Sequence, residues 1–329
     1  MEIILQNVRY NFSNRPLCTS NEVGLAKEII ASHYPQMADL LKDGHPWKEA
    51  KALHGALTAQ TGQEILSEMG FENNDPNREL ICLIGEIHDL GRVPDGLQQK
   101  LAQNANPERM EEAERFAALF AGCKDHGEMS VKILEEWGVF NVFSPDTADI
   151  IRFAIAHHTD DQSPILPRPD TDEAEMMKFI VTALIRDLDK LALFIGKTAK
   201  YLYDEKEIQR QEEIVKNLLN QKYHLTYRGR DKRVEEVVMN FVRNWQPIPQ
   251  RFITTYQQYM IYMASWALDM NSPEVLRRLA KDMIDAEFTE SKPPINMILD
   301  WLDNHICKEQ ATEIRQAIRA YFAKNNITI

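Results

Sequence analysis

The chain has 329 residues and a formal charge of −12, from 38 Lys and Arg against 50 Asp and Glu. That balance opposes a phosphate-tracking surface, so no nucleic acid partner is expected. Its 13 glycines and 15 prolines, about 9% of the residues against a usual ~12%, favour long helices over a turn-rich β architecture.

Residues 1–20 read as an irregular segment. A helix is predicted over 21–33, with Asn21 as N-cap and Pro35 as the interruption. A longer one over 46–69 stops at Gly70, and a third starts at Asp75-Pro76, a cap followed by proline at the first helical position, and ends by Gly91. Charged residues 108–115 open another helix that continues through 116–120, and 126–137 is helical up to Gly138. Ser144-Pro145-Asp146 combines a cap, a proline and an acidic first turn, opening a helix that reaches His158. Pro164, Pro167 and Pro169 make 159–172 a loop. A long helix then covers 172–200, with Phe179, Ile180, Ala183, Leu184, Leu188 and Leu191 on a broad apolar face. Beyond Tyr201 the pattern gives a charged helix over 204–219, a basic loop over 228–233, aromatic-rich helices over 234–245 and 252–270, and a closing set broken at Pro273 and Pro293-Pro294. No alternating strand exceeds a few residues, so the predicted class is all-α.

Four cysteines, Cys18, Cys82, Cys123 and Cys307, stand singly with no CxxC pair, the pattern of a reducing compartment. The longest apolar runs, 116–123 and 179–185, fall far short of the ~18 residues a membrane span needs, and no signal-peptide pattern opens the chain. A cytoplasmic protein with no membrane partner is the expectation.

Of nine histidines, His54, His88, His126, His157 and His158 fall where a predicted helix faces the core or ends at a cleft. His88-Asp89 follows Leu80, Ile81, Leu83, Ile84 and Ile87, a helix apolar nearly all round and therefore buried. Asp187 and Asp189 sit inside an otherwise apolar helix, where an uncompensated carboxylate is costly. A single buried histidine is usually a hydrogen-bonded core residue. The ordered set leaves several buried polar groups to be satisfied together, which a shared divalent metal does, imidazole and carboxylate being suitable ligands for Mn, Fe, Ni, Co or Zn. His33, His45, His224 and His305 read as surface or local structural residues.

The stretches Leu53-His54-Gly55, Glu86-Ile87-His88-Asp89-Leu90-Gly91-Arg92, Asp125-His126-Gly127, Ala156-His157-His158 and Arg186-Asp187-Leu188-Asp189-Lys190-Leu191 together resemble the HD-domain metal-dependent phosphohydrolase superfamily, in a bacterial branch with extra histidines. The resemblance covers about residues 20–200, and the segment 262–269 is similar to the same branch. It implies a helical metal-binding domain over 21–200; the many aromatics of 201–329 and the lack of a Gly/Ser linker make that region a helical extension expected to pack on the same core. The resemblance further implies His54, His88, Asp89 and a late aspartate on one metal, and His126 with His157 or His158 on a second, bridged by Asp89. One or two divalent ions are implied, Mg included among the candidates. Asp189 fits the family frame better than Asp187, and the two cannot easily ligate together because they point to different faces.

The implied activity is cleavage of a small phosphate ester, a nucleotide or related phosphomonoester or phosphodiester, by metal-activated hydroxide. Asp89, Arg92, His126 and Lys190 are the candidate catalytic residues. Arg92 is placed to grip a phosphate or to make an ion pair, and Lys190 to contact a leaving group or to make a salt bridge. Asp160 and Asp161 either orient a ligand imidazole or belong to a solvated loop. Alternatives of other classes are a di-iron oxygenase on the same ligand set, and a non-catalytic metal-binding regulatory module with Trp245, Tyr256, Tyr259, Tyr262 and Trp266 as a partner surface. The oligomeric state is not legible.

Overall fold

Thr19 and Glu22 form a capping box: Glu22 Oε2 accepts the Thr19 amide at 2.7 Å while Thr19 Oγ1 accepts the Glu22 amide at 3.2 Å. This starts α1 (Ser20–Ala38), one residue before the expected cap at Asn21. The computed structural model describes residues 2–5, 8–11, 16–43, 46–160, 172–201, 233–253, 255–281 and 293–329. Ahead of α1, β1 (Glu2–Leu5) pairs antiparallel with β2 (Val8–Asn11), Glu2 opposite Asn11, in a segment expected to be irregular. Strands of four residues are too short for alternation to reveal, and the chain remains all-α.

Pro35 does not end α1. The helix continues to Ala38 because Met37, Ala38, Leu40 and Leu41 are all buried, and that burial outweighs the ~3 kcal/mol cost of an interior proline. α2 (Pro46–Glu68) and α3 (Pro76–Ile87) pack closely on each other, and α3 also packs on α1. Asp75 caps α3 through the Asn77 amide at 2.8 Å. A helix absent from the sequence reading, α4 (Arg92–Asn104), follows directly. Pro94 and Gly96 look like breakers there. Pro94 lies in the first turn, where no intrahelical partner is needed for its missing N–H, and its side chain is buried along with Val93 and Leu97. A short 3-10 turn (Pro107–Arg109) leads to α5 (Met110–Leu119), then α6 (His126–Glu136), a 3-10 turn (Val139–Val142) and α7 (Pro145–His157). Gly138, at φ 74°, closes α6 as expected, and Ser144 Oγ caps α7 through the Thr147 amide at 3.2 Å.

The expected loop over 159–172 lies mostly outside the described residues, as do His45, His224, the helix over 204–219 and most of the basic loop 228–233. α8 (Glu173–Tyr201) follows. The chain divides into two compact units: residues 1–160 with 164–189, and 161–163 with 190–329. The division falls inside α8, about ten residues before the boundary expected at 200.

In the second unit, α9 (Glu236–Arg243) packs on α13 (Lys308–Lys324), and α10 (Tyr256–Ser265) packs on α12 (Pro294–His305). A 3-10 turn (Trp266–Asp269) and α11 (Pro273–Ala280) lie between α10 and α12. Phe194, Trp266, Ile314 and Phe322 are buried, and the Phe194 and Trp266 rings meet edge-on at 6.0 Å. Trp266 is thus core, and Trp245 and Tyr262 are half-buried. Among the described residues all four cysteines are free, and no helix is long and apolar enough to cross a membrane.

Candidate metal centre

Two helices that touch at a glycine bring the first two imidazoles together. A Cβ on Gly55 would stand 2.3 Å from the Glu86 carbonyl oxygen, so α2 and α3 approach as closely as they do only because residue 55 has no side chain. The rings of His54, beside that glycine, and His88, which caps the end of α3, lie 5.5 Å apart. His88 Nδ1 donates to the Gly85 carbonyl at 2.7 Å, which leaves Nε2 as the lone-pair nitrogen.

Asp89 stands in the turn between α3 and α4. Gly91 presses this turn onto the start of α6, where a Cβ would be 2.0 Å from the His126 carbonyl oxygen. Ser130 Oγ fastens the contact, accepting the Gly91 amide at 2.7 Å and lying 2.7 Å from His88 O and 2.8 Å from His126 O. His126 is the first residue of α6, held there by Asp125, whose Oδ1 caps the Gly127 and Glu128 amides at 2.9 and 3.1 Å. His158 ends α7 and, like His88, donates from Nδ1 to the carbonyl three residues back, Ile155, at 2.6 Å. From α8, Asp189 completes the group.

The distances divide the cluster around Asp89. Asp89 Oδ1 is 3.0 Å from His126 Nε2 and 3.6 Å from His158 Nε2, while Oδ2 is 3.9 Å from both His54 Nε2 and His88 Nε2. Asp189 Oδ1 is 2.8 Å from His54 Nε2 and 3.5 Å from His88 Nε2. One carboxylate therefore lies between two imidazole pairs, and a second carboxylate serves one of them. Donor atoms of His54, His88 and Asp189, and again of His88, Asp89 and His158, all fall within 4.8 Å of one another.

The electrostatics fit a divalent cation. Burial, aided by the Arg92 charge, holds His126 down to about 3 although its hydrogen bond to Asp89 works the other way, so its imidazole is neutral. Burial opposes the ionisation of Asp189, but the hydrogen bond with His54 and the closeness of the His88 imidazole outweigh it and keep the carboxyl well below its usual range. His158 Nε2 is buried with no hydrogen-bond partner among the described residues. An imidazole nitrogen so placed, 3.6 Å from a carboxylate, is the feature a metal would satisfy.

Several candidates lie elsewhere. His157 is half-exposed, bound through Nδ1 to Asp160 Oδ2 at 2.8 Å and set against the Phe153 ring, so of the two adjacent histidines only His158 joins the cluster. Asp160 thus pairs with His157 and with Lys124, not with a clustered imidazole, and Asp161 lies outside the described residues. Asp187 is fully buried on α8 and does not share the clustered donors. Lys190 belongs to the second unit, where it is salt-bridged to Asp269. Arg92 opens α4, and its Nε donates to Asp89 Oδ1 at 3.3 Å, the ion pair that was one of its two expected roles. His33 is stacked on Trp137 and His305 on Trp301, both as local structure.

Two supporting residues escaped the sequence reading. Arg186, buried in α8, donates to the carbonyls of Asp160, His158 and His157 at 2.6, 3.0 and 3.4 Å and so holds the end of α7 that presents His158. An arginine on the apolar side of a helix, one residue before a buried aspartate, was its signal. Ser130 was signalled only by its position one turn after His126.

Residues 53–193 match the family model described as the HD domain. Neither the curated proteins nor the solved structures provide a match to the chain. The matched span contains every imidazole and carboxylate of the cluster; α1 precedes it.

Proposed function

With an HD domain over residues 53–193 as the premise, we propose that the first unit is a metal-dependent phosphohydrolase acting on a small phosphate ester. The observation that carries this reading is the position of Asp89, one oxygen toward His126 and His158 and the other toward His54 and His88. His54, His88, Asp89 and Asp189 would hold one divalent ion, and Asp89, His126 and His158 a second. Such ions supply an activated water and charge neutralisation at a phosphoryl group.

The protein's own groups do the rest. The Gly85 and Ile155 carbonyls fix the tautomers of His88 and His158, aiming each Nε2 inward. The neutral His126 adds no positive charge to compete with a cation. Arg92, partly exposed and hydrogen-bonded to Asp89, would meet a phosphoryl oxygen. Lys190, engaged by Asp269, has no part in this reading.

The test is phosphate release by protein reconstituted with Mn2+, Fe2+, Co2+ or Zn2+, over a panel of nucleotides and generic phosphoesters, beside His88→Ala and Asp89→Ala. Both variants are expected to lose at least about 1000-fold in kcat, the scale of removing a major electrostatic group from an active site. Unchanged release in both refutes the reading. Oxygen uptake by the iron-loaded protein, without phosphate release, replaces it with the di-iron oxygenase alternative.

A further inference from the structure

A cavity of about 480 Å3 opens between α1 and the α3–α4 turn, and Asp89 is part of its wall. Ile30, Leu83, Ile87, Leu90 and Val93 give it an aliphatic surface. Its remaining polar groups are Lys27 and Tyr34 from α1 and Glu86 from α3. Lys27 and Glu86 are exposed, and neither makes an ion pair or side-chain hydrogen bond among the described residues; the Tyr34 hydroxyl is likewise without a partner. Burial raises Tyr34 above its usual value, so it stays a neutral phenol able both to donate and to accept. A cation, a carboxylate and a phenol, unpaired among the described residues, thus stand around an apolar hollow walled in part by Asp89. α1, which supplies Lys27, Ile30, Ala31 and Tyr34 to this wall, lies outside the span matching the HD domain.

We propose that this cavity is the specificity pocket for the alcohol portion of the substrate, a flat heterocycle read at its edge by Lys27, Tyr34 and Glu86. The inference rests on the phosphohydrolase reading, since the phosphoryl group is the part that meets Asp89. The volume lies within the ~300–1000 Å3 of small-molecule sites. An aliphatic surface accepts the faces of a ring, whereas a polyol would bury hydroxyls against it at ~1–3 kcal/mol each. A heterocycle with N–H donors on its rim satisfies Glu86, and its acceptors satisfy Lys27 and Tyr34. Nucleosides are the probes that combine those features with a phosphorylated form.

The experiment uses the full chain. kcat/KM of the Mn2+-loaded protein is measured for the four common ribonucleoside 5′-monophosphates and for glycerol 2-phosphate. Binding of the four nucleosides, which carry no phosphate, is measured by calorimetry on metal-free protein. At least one nucleoside should bind, and its monophosphate should exceed glycerol 2-phosphate by about 100-fold in kcat/KM. Glu86→Gln and the cavity-filling Ala31→Trp should each weaken nucleoside binding about tenfold, or 1.4 kcal/mol. Leu25→Ala, on the exposed side of α1 and not in the cavity wall, should leave it unchanged. Equal kcat/KM for all esters with no nucleoside bound overturns the pocket and leaves the phosphohydrolase reading standing. Nucleoside binding that Ala31→Trp and Glu86→Gln do not alter also overturns it. Nucleoside binding lost in both variants, with no ester cleaved by the wild type, supports the pocket and overturns the phosphohydrolase reading.

Discussion

Gly91→Ala places one methyl group where the α3–α4 turn meets α6, and its effect can be worked out from the geometry. The added Cβ would lie 2.0 Å from His126 O, 2.7 Å from Ser130 N and 2.7 Å from Met129 Cβ, against an ordinary contact of at least 3.4 Å. Two of those atoms are backbone, so no rotamer change relieves them, and the turn must back away from α6 by more than an ångström. That movement breaks the 2.7 Å hydrogen bond from Gly91 N to Ser130 Oγ and separates Asp89 from His126. Overpacking costs about 1–3 kcal/mol and the lost buried hydrogen bond about 1 more, so a destabilisation of ~3 kcal/mol is expected. Gly24→Ala supplies the contrast. It lies in α1 with nothing within 4 Å of its would-be Cβ, and should stabilise by about 0.5–1 kcal/mol through helix propensity. Urea unfolding of the metal-free proteins followed by circular dichroism measures both, and Mn2+ affinity of Gly91→Ala reads the displaced Asp89. A Gly91→Ala protein within ~1 kcal/mol of wild type, with unchanged Mn2+ affinity, would refute the account of how α6 is held against the turn.

His158→Ala should lower Mn2+ affinity by more than about 100-fold, beyond the usual range for residues that only support a ligand, while His157→Ala should stay within about threefold; equilibrium dialysis distinguishes them. Arg186→Met removes a buried cation from three carbonyls at the end of α7 and should cost about 2–4 kcal/mol in urea unfolding, with Arg186→Lys recovering part of the loss. His126, held near about 3 in the folded protein, takes up a proton on unfolding below its ordinary 6.5. Metal-free stability should therefore fall as pH drops through the window between those values, with a slope of at most ~1.4 kcal/mol per pH unit from this group. In His126→Asn that part of the slope should vanish in denaturation curves taken at pH 4.5, 5.5 and 6.5; an unaltered slope would show that His126 protonates freely in the folded state.

Much of this molecule is written in short-range signals. Asp75-Pro76, Asp125 before His126, Gly138 and Ser144-Pro145 act within one turn of chain, and each bounds the helix its local chemistry predicts. The ordered histidines and aspartates were legible for a related reason: buried polar groups on apolar helices require partners, and only a shared site gives them all one. What remained hidden depends on where a helix rests in three dimensions. Pro35 reads as a breaker until burial of Met37 and Leu41 outweighs the local penalty. His157 and His158 are ~100° apart around a helix axis, and Asp187 and Asp189 ~200°, so neither pattern says which one faces the partners. The choice is made by Arg186 gripping the end of α7, by Gly55 letting α2 sink against α3, and by Gly91 bringing Asp89 under His126. The sequence by itself determined which side chains needed company; the tertiary structure decided which company each one keeps, because helix rotation and backbone approach are set by contacts between segments far apart in the chain.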